Sequence, residues 1–191
     1  MSSLKIPLYF LLLLLCLSGC GIVNTPGFYS GYKKLSSAEH SSVVFTQSGD
    51  LICNIKNDQK IYAITGDQLL NCLKENDTTL VYVWSPNCHS DVCMSLSAVQ
   101  YYCNKRNYKL YVVAQYYDFA KTDPQNTNPL SLFSVNHKYY KADYCNKYMR
   151  LFTKDITRGA ITKDESYKRY LFFKKDQWIF SKNRLDEKPG V

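Results

Sequence analysis

The sequence predicts an α/β domain, with a central mixed sheet, flanking helices and a terminal antiparallel hairpin. Residues 79–84 (TLVYVW) and 108–115 (YKLYVVAQ) are nearly continuous apolar runs, as strands buried on both faces of a parallel sheet should be. Between them, apolar residues recur at steps of four, three and four from Val92 to Cys103, which places them on one helical face. A strand, a helix and a strand in this order indicate a right-handed parallel crossover.

The other elements follow from apolar alternation and from turn and capping residues. Ser48-Gly49-Asp50 lies between two short β-type runs, which predicts a hairpin, and Lys175-Asp176 lies between the last two runs. The predicted strands are 43–47, 51–56, 59–64, 79–84, 108–115, 169–174 and 177–181. The predicted helices run from Thr65 or Asp67 to near Asn76, from about Cys88 to Lys105, and over 141–152. Residues 118–137 are predicted to form a loop.

Composition and charge exclude several classes of protein. The chain has 191 residues, of which 46% are hydrophobic and 15% aromatic, so it is neither disordered nor collagenous. Residues 20–137 carry nine basic and nine acidic side chains, whereas residues 138–191 carry fourteen and seven. This basic excess indicates either a solvated face or a surface for an anionic partner such as a lipid headgroup. No nucleic-acid-binding motif is present, so we expect no nucleic-acid partner.

The N-terminus has the pattern of an export signal. Lys5 precedes an apolar run over 6–17, which is shorter than the roughly 20 residues that a spanning helix needs. The run ends at Leu17-Ser18-Gly19-Cys20, which resembles the lipobox of bacterial lipoproteins. The resemblance implies cleavage before Cys20 and acylation of that residue, which would hold the chain on a lipid bilayer.

This resemblance divides the chain and implies a location. Residues 1–19 become a lipoprotein signal peptide, 20–40 a flexible membrane tether, 41–58 an N-terminal hairpin extension and 59–191 the α/β domain. Gly21 takes the place of the Asp that would favour inner-membrane retention in Gram-negative lipoproteins. The implied location is the bacterial cell envelope, at the outer membrane facing the periplasm.

Six cysteines remain after the signal and the lipidated residue are set aside. An exported compartment allows such thiols to pair, to stay buried or to act in redox chemistry. Cys72 and Cys103 lie on apolar helix faces and are expected in the core, while Cys53 or Cys145 can join a structural disulfide. Six cysteines allow about 15 full pairings, so the connectivity stays open.

Residues 81–88 (VYVWSPNC) resemble the thioredoxin-family segment in which an apolar strand ends in an aromatic residue and a cysteine opens the next helix. The order of strands and helices over residues 59–181 agrees. The resemblance implies a thioredoxin-like fold with Cys88 as a nucleophile, because a helix N-terminus stabilises a thiolate. His89 would add positive charge, and Cys93 would be the resolving partner.

The sequence departs from the thioredoxin pattern at two places. Four residues, not two, separate Cys88 from Cys93, and in a continuous helix this step would turn the two side chains about 140° apart. They can pair only if Cys88 lies before the helix or the first turn is loosened. Asp91 would raise the pKa of a nearby thiol. Residues 158–168 also lack the proline that thioredoxins place before the strand predicted at 169–174.

Three functions therefore stay open. The first is thiol–disulfide exchange through Cys88 and Cys93 with an unknown protein partner. The second is a catalytically inactive binding or structural module. The third is a copper site like that of Sco-type chaperones, with His137 or His89 joining the cysteines, since thiolates suit Cu(I). The Sco pair has three intervening residues, so no metal or other cofactor is assigned.

We predict that Cys20→Ser abolishes lipidation. The variant should lose the mass of the acyl groups and shift from the membrane fraction to a soluble or uncleaved form, because the thiol that accepts the lipid is gone. Mass spectrometry of the N-terminal peptide and membrane fractionation measure both effects. Cys16→Ser, four residues upstream within the apolar run, is the matched control and should behave as the parent chain. An unchanged mass and membrane fraction for Cys20→Ser would contradict the lipoprotein prediction.

Overall fold

A computed structural model describes residues 27–55, 60–88, 90, 92–118 and 131–185. The predicted signal peptide and Cys20 lie outside these ranges. Within them the strands are β1 (Val43–Phe45), β2 (Ile61–Ile64), β3 (Thr78–Trp84), β4 (Lys109–Ala114), β5 (Leu132–Val135), β6 (Tyr170–Lys174) and β7 (Gln177–Lys182), and the α-helices are α1 (Ser37–Ser41), α2 (Gly66–Leu73), α3 (Leu96–Arg106) and α4 (Cys145–Ile156).

The strands form one mixed sheet in the order β1-β2-β5-β4-β3-β6-β7. The first five are parallel, whereas β6 and β7 run antiparallel to their neighbours. The predicted parallel pairing of the two apolar runs is confirmed, since β3 pairs with β4 from Thr79–Lys109 to Trp84–Ala114 and α3 connects them. The terminal hairpin of β6 and β7 in the same sheet is confirmed as well. The α/β class with a mixed sheet follows directly from this topology.

Two hydrophobic cores lie on opposite faces of the sheet. Successive residues of β3 point to opposite faces, so Val81 and Val83 join one core while Leu80 and Tyr82 join the other. The first core is covered by α2 and α4, and the second by α3 with residues from the N-terminal segment. Burial on both faces explains why β3 and β4 read as continuous apolar runs.

Helix α2 begins where Thr65 was expected to cap it. The Thr65 hydroxyl accepts the Gln68 N–H at 3.3 Å, and the Gln68 side chain accepts the Thr65 N–H at 2.9 Å, which completes a capping box. The Thr46 hydroxyl also donates to Gln68 at 2.8 Å. The capping box therefore joins the helix to the segment that follows β1.

Strand β5 was not expected, because residues 118–137 were predicted to form a loop. It lies between β2 and β4, parallel to both, and each of its four residues is buried. Its short LFSV sequence has no alternation, and the Ser134 hydroxyl is satisfied by the carbonyl of Ala114 at 3.3 Å. A run this short gives no periodic signal. Residues 119–130 lie outside the described ranges.

The hairpin predicted over 41–58 is wrong. Strand β1 pairs in parallel with β2, in the register Val43–Ile61 to Phe45–Ala63. Residues 51–55 form turns, with Ile52 buried in the first core. The Ser48-Gly49-Asp50 turn therefore leads the chain away from β1 instead of returning it alongside.

The flexible tether predicted for 20–40 is wrong for residues 27–40. Ser30 is fully buried, its N–H donates to the carbonyl of Asp143 at 2.9 Å, and its own carbonyl accepts the N–H of Tyr117 at 2.7 Å. A 3₁₀ turn at Tyr32–Lys34 and the capped helix α1 follow. Backbone hydrogen bonds to two distant segments fix this part of the chain, which its Gly- and Ser-rich composition does not reveal.

Helix α4 begins later than the predicted 141–152. The Asn136 side chain accepts the N–H of Tyr139 at 3.0 Å, and Lys141 has a left-handed φ of 48°. These features keep residues 137–141 in turns. The helix then runs from Cys145 to Ile156, and the apolar residues Tyr148, Met149 and Phe152 face the first core.

We predict that Gly31→Ala destabilises the fold more than Gly49→Ala. Both glycines have left-handed φ values, +77° and +98°, but a Cβ on Gly31 would lie 2.5 Å from the Tyr117 carbonyl oxygen, whereas a Cβ on Gly49 meets no atom within 4 Å. We expect losses in the free energy of unfolding of roughly 3 kcal/mol for Gly31→Ala and roughly 1 kcal/mol for Gly49→Ala. Urea denaturation measures both. Equal losses would contradict the packing of the 27–31 segment against Tyr117.

Candidate functional site

Cys88 and Cys93 form a disulfide in the segment that joins β3 to α3, with their Cα atoms 5.9 Å apart. Both residues are half-buried. The segment leaves the carboxyl end of β3, beside the end of the parallel strand β4. Ligands of open α/β sheets bind outside the carboxyl ends of the strands. The structure thus brings the two predicted site residues together at the edge where a functional site is expected.

The helix that was expected to start at Cys88 starts at Leu96. Backbone turns close from Cys88 N–H to Ser85 at 3.1 Å and from Cys93 N–H to Ser90 at 2.9 Å, and Ser95 caps the helix through the N–H of Ala98 at 3.2 Å. Cys88 therefore lies eight positions before Leu96, the first residue of α3. It is not in the first helical turn, where the stabilisation of a thiolate by the helix N-terminus was expected. The irregular backbone instead allows the four-residue spacing to close as a disulfide.

Two tyrosines of the sheet hold the second half of this disulfide loop (residues 85–95). The Tyr82 hydroxyl donates to the carbonyl of Met94 at 2.9 Å. The Tyr170 hydroxyl donates to the carbonyl of Val92 at 3.3 Å and accepts the N–H of Met94 at 3.4 Å. The two rings stack with their centroids 4.8 Å apart. Burial raises the pKa of both hydroxyls, so both keep the protons that these bonds require.

A third tyrosine holds the first half of the disulfide loop. The Tyr116 hydroxyl, just beyond β4, accepts the N–H of Asn87 at 3.0 Å. The Asn87 side chain donates to Asp118 at 2.5 Å. Asn87, the residue before Cys88, is thus hydrogen-bonded to both Tyr116 and Asp118, which follow β4. None of the three tyrosines was predicted as a site residue, because the supporting contacts join positions far apart in sequence.

Among the described residues, Ser90 places a polar side chain beside both sulfurs of the disulfide. Its exposed hydroxyl lies 3.4 Å from the sulfur of Cys88 and 3.5 Å from that of Cys93. A hydroxyl can donate to a thiolate and so favour the charged form when the disulfide is reduced. Sequence reasoning assigned no role to Ser90. His89 and Asp91, which were expected to raise and to oppose thiolate formation, lie outside the described residues.

The other cysteines in the described part of the chain are buried, except Cys53, which is half-buried like Cys88 and Cys93. Cys53 and Cys72 form a second disulfide, with Cα atoms 5.0 Å apart and Cys72 fully buried in the first core. Cys103 and Cys145 are free and buried. Burial raises the pKa of the Cys103 thiol to about 12 and also raises that of Cys145. Thus Cys72 and Cys103 are core residues as expected, and Cys53 takes the structural disulfide that it or Cys145 was expected to form.

His137 does not join the cysteines. Its buried ring lies among Tyr32, Phe45, Tyr117 and Tyr148, with ring centroids 5.4 to 6.3 Å away, and burial lowers its pKa. In the ranges that the structure covers, no three His, Cys, Asp or Glu side chains group as metal ligands. His137 is therefore not placed as a third ligand beside the cysteines, and His89, the other candidate, lies outside the described residues.

No family model, no curated protein and no solved structure matches this chain. Among the helices that the structure describes, none has the length and apolarity to cross a membrane.

We predict that Tyr170→Phe loosens the disulfide loop without unfolding the protein. The variant keeps the stacked ring but loses the hydroxyl bonded to Val92 and Met94. We expect about 1 kcal/mol less local stability, or roughly fivefold faster hydrogen exchange at the Met94 amide. Tyr108→Phe, just before the opposite end of β4, is the control and should leave that amide unchanged. Equal exchange in all three proteins would show that the tyrosine hydroxyl does not hold the loop.

Proposed function

We propose that this protein is a lipid-anchored, exported thioredoxin-like protein that exchanges disulfides through Cys88 and Cys93. The observation that carries the proposal is the contrast between its cysteines. Both cysteines of the Cys88–Cys93 disulfide are half-buried at the carboxyl edge of the sheet. In the Cys53–Cys72 disulfide only Cys53 is half-buried, while Cys72, Cys103 and Cys145 are buried. Exchange proceeds by attack of a thiolate on a disulfide sulfur, which requires access to that sulfur.

The thioredoxin likeness has two supports. Residues 81–88 carry the family segment, and they form the end of a central strand and the turn that leads to the cysteine. The β3–α3–β4 unit, followed by α4 and the antiparallel hairpin, has the element order that the resemblance implies. Strands β1 and β5 are additions to that order.

The proposed reaction needs a partner that carries two thiols. One partner thiolate attacks a sulfur of the Cys88–Cys93 bond, forms a mixed disulfide and releases the other cysteine as a thiolate. The second partner thiol then attacks the mixed disulfide, so that the partner leaves oxidised and this protein keeps two thiols. The reverse sequence reduces a partner disulfide. The Ser90 hydroxyl is placed to donate to either sulfur as it becomes a thiolate.

The lipobox resemblance supplies the proposed location. Acylation at Cys20 would hold the protein at the outer membrane of a bacterial envelope, facing the periplasm, where disulfides persist. The partners would then be the lipid bilayer and an exported protein with reactive thiols. A partly exposed disulfide such as Cys88–Cys93 can persist in this proposed location because the compartment is oxidising.

A second candidate is a binding or structural module in which the disulfide is a fixed cross-link. Two observations favour it: Cys88 lies away from the helix N-terminus, and three tyrosine hydroxyls hold the disulfide loop. In this case the bond contributes to stability only. Closing a loop of this length stabilises a fold by about 2 kcal/mol in the chain-entropy model.

We predict that Cys88–Cys93 is reduced and re-formed reversibly in glutathione redox buffers while Cys53–Cys72 stays oxidised. In the reduced protein, iodoacetamide should modify Cys88 and Cys93 near neutral pH. Cys103 should react only after unfolding, because burial raises its pKa to about 12. Mass-spectrometric mapping of alkylated peptides measures each site. If both disulfides stay oxidised across the buffer range and Cys88→Ser/Cys93→Ser only lowers stability, the cross-link candidate replaces exchange.

Ser90→Ala separates a role in exchange from a structural one. Loss of a hydroxyl that donates to the thiolate should move the alkylation profile to higher pH and slow the reaction at pH 7 roughly tenfold. Ser41→Ala, which removes an exposed hydroxyl in α1, is the control and should leave the profile in place. Identical profiles for all three proteins would remove Ser90 from the mechanism.

A further inference from the structure

Three exposed aromatic side chains form a cluster at the start of the described chain. Phe28, Tyr29 and Tyr144 are 49%, 42% and 39% exposed. Their rings contact one another edge to face, with centroids 5.1, 5.0 and 6.5 Å apart. Within the described residues, the exposed rings of Tyr101 and Tyr167 form no contact of this kind with another aromatic ring. A contiguous aromatic surface of this kind marks an interaction site more often than scattered exposed residues do.

This aromatic patch (Phe28, Tyr29 and Tyr144) is held in place by the backbone. The N–H of Cys145 donates to the carbonyl of Phe28 at 3.0 Å, and Tyr29 pairs with Tyr144 as an isolated antiparallel bridge. The next residue, Ser30, is fully buried. The patch is therefore preformed, which lowers the entropy lost when it binds a surface.

The length of the chain before the patch indicates what covers it. Cys20, the residue proposed to carry the lipid, precedes Phe28 by eight positions. Eight residues span at most roughly 28 Å when fully extended. The patch can therefore never be far from the bilayer surface once the lipid is inserted. At that distance the membrane is present at a high effective concentration, so that even weak contacts lead to docking.

The chemistry of the surface also suits a lipid headgroup layer. Tyrosine and phenylalanine place large apolar area at the interface, and the tyrosine hydroxyl stays in water. Lys33, Lys34, Lys141 and Lys147 are exposed within a few positions of the patch, whereas the nearby acid Asp143 is bonded to Ser30 and lies 3.7 Å from Lys33. Lysines near an anionic leaflet each add favourable energy to binding.

We infer that the aromatic patch docks on the lipid bilayer to which Cys20 is anchored. This inference rests on the lipid anchor of the proposed function and adds a fixed orientation to it. Gly27 lies against the ring of Tyr116, since a Cβ there would be 3.0 Å from it, and the Tyr116 hydroxyl binds Asn87 beside Cys88. One tyrosine ring thus lies between Gly27, the residue before the patch, and Asn87, the residue before Cys88. Docking holds the Cys88–Cys93 edge of the sheet near the membrane surface.

Hydroxyl-radical labelling of the lipidated full chain tests the inference. The protein is placed in vesicles of phosphatidylethanolamine and phosphatidylglycerol. Tyr29 and Tyr144 should be labelled roughly fivefold less than Tyr101 and Tyr167, which are 57% and 55% exposed. Phe28→Ser/Tyr144→Ser should restore labelling of Tyr29, whereas Tyr101→Ser/Tyr167→Ser should leave its protection in place. Urea denaturation confirms that both double variants fold.

The outcomes separate docking from anchoring. Equal labelling of all four tyrosines in a chain that mass spectrometry shows to be lipidated overturns docking and leaves the anchor intact. If Cys20 carries no lipid, the anchor fails, and docking is tested by adding the same vesicles in excess to the unlipidated chain. Protection of Tyr29 there supports the inference, and its absence overturns it. Protection that needs no lipid and rises with protein concentration means that a second copy covers the patch, which also overturns it.

Discussion

The burial of β3 at the junction between the parallel and antiparallel parts of the sheet is the constraint on which the rest of the structure depends. On one side β3 pairs in parallel with β4, and on the other it pairs antiparallel with β6. Its side chains enter both hydrophobic cores, so the strand cannot shift by one residue without exchanging its two faces. The carboxyl end of β3 is thus fixed, and so is the origin of the disulfide loop.

Tyrosine hydroxyls extend this rigidity from the sheet to the irregular segments. Tyr82 and Tyr170 on neighbouring strands bond the loop after Cys88, and Tyr116 bonds the residue before it. The Tyr140 hydroxyl likewise accepts the N–H of Gly66 at 2.9 Å and donates to Asp155 at 2.8 Å, which links α2 to α4. In each case the ring is packed in apolar surroundings while its hydroxyl satisfies polar groups of a loop or a helix end. These four of the seventeen tyrosines therefore order loops and helix ends as well as packing against the core.

The cysteines show how one residue type takes different roles through its surroundings. Cys103 has no partner within bonding range and behaves as a small apolar residue, with a pKa that burial raises to about 12. Cys72 is equally buried but meets Cys53, so it joins a disulfide that ties α2 to the segment after β1. Cys88 and Cys93 lie where the backbone is irregular and partly open to solvent. In the proposed exchange, access of a partner thiolate to the two sulfurs would distinguish this last pair from the buried cysteines.

The sequence by itself determined the α/β class, the parallel pairing of β3 with β4, the closing hairpin and the cysteines at the candidate site. These features depend on local apolar patterns that persist over a whole strand or helix. The tertiary structure decided the rest, because it depends on contacts between distant positions. Leu132–Val135 forms a strand because it pairs with β2 on one side and β4 on the other. Ser30 is ordered by its backbone hydrogen bonds to Asp143 and Tyr117. Cys88 likewise stays outside α3. Ser95 caps that helix, and the hydroxyls of Tyr82 and Tyr170 hold the segment between Cys88 and the cap.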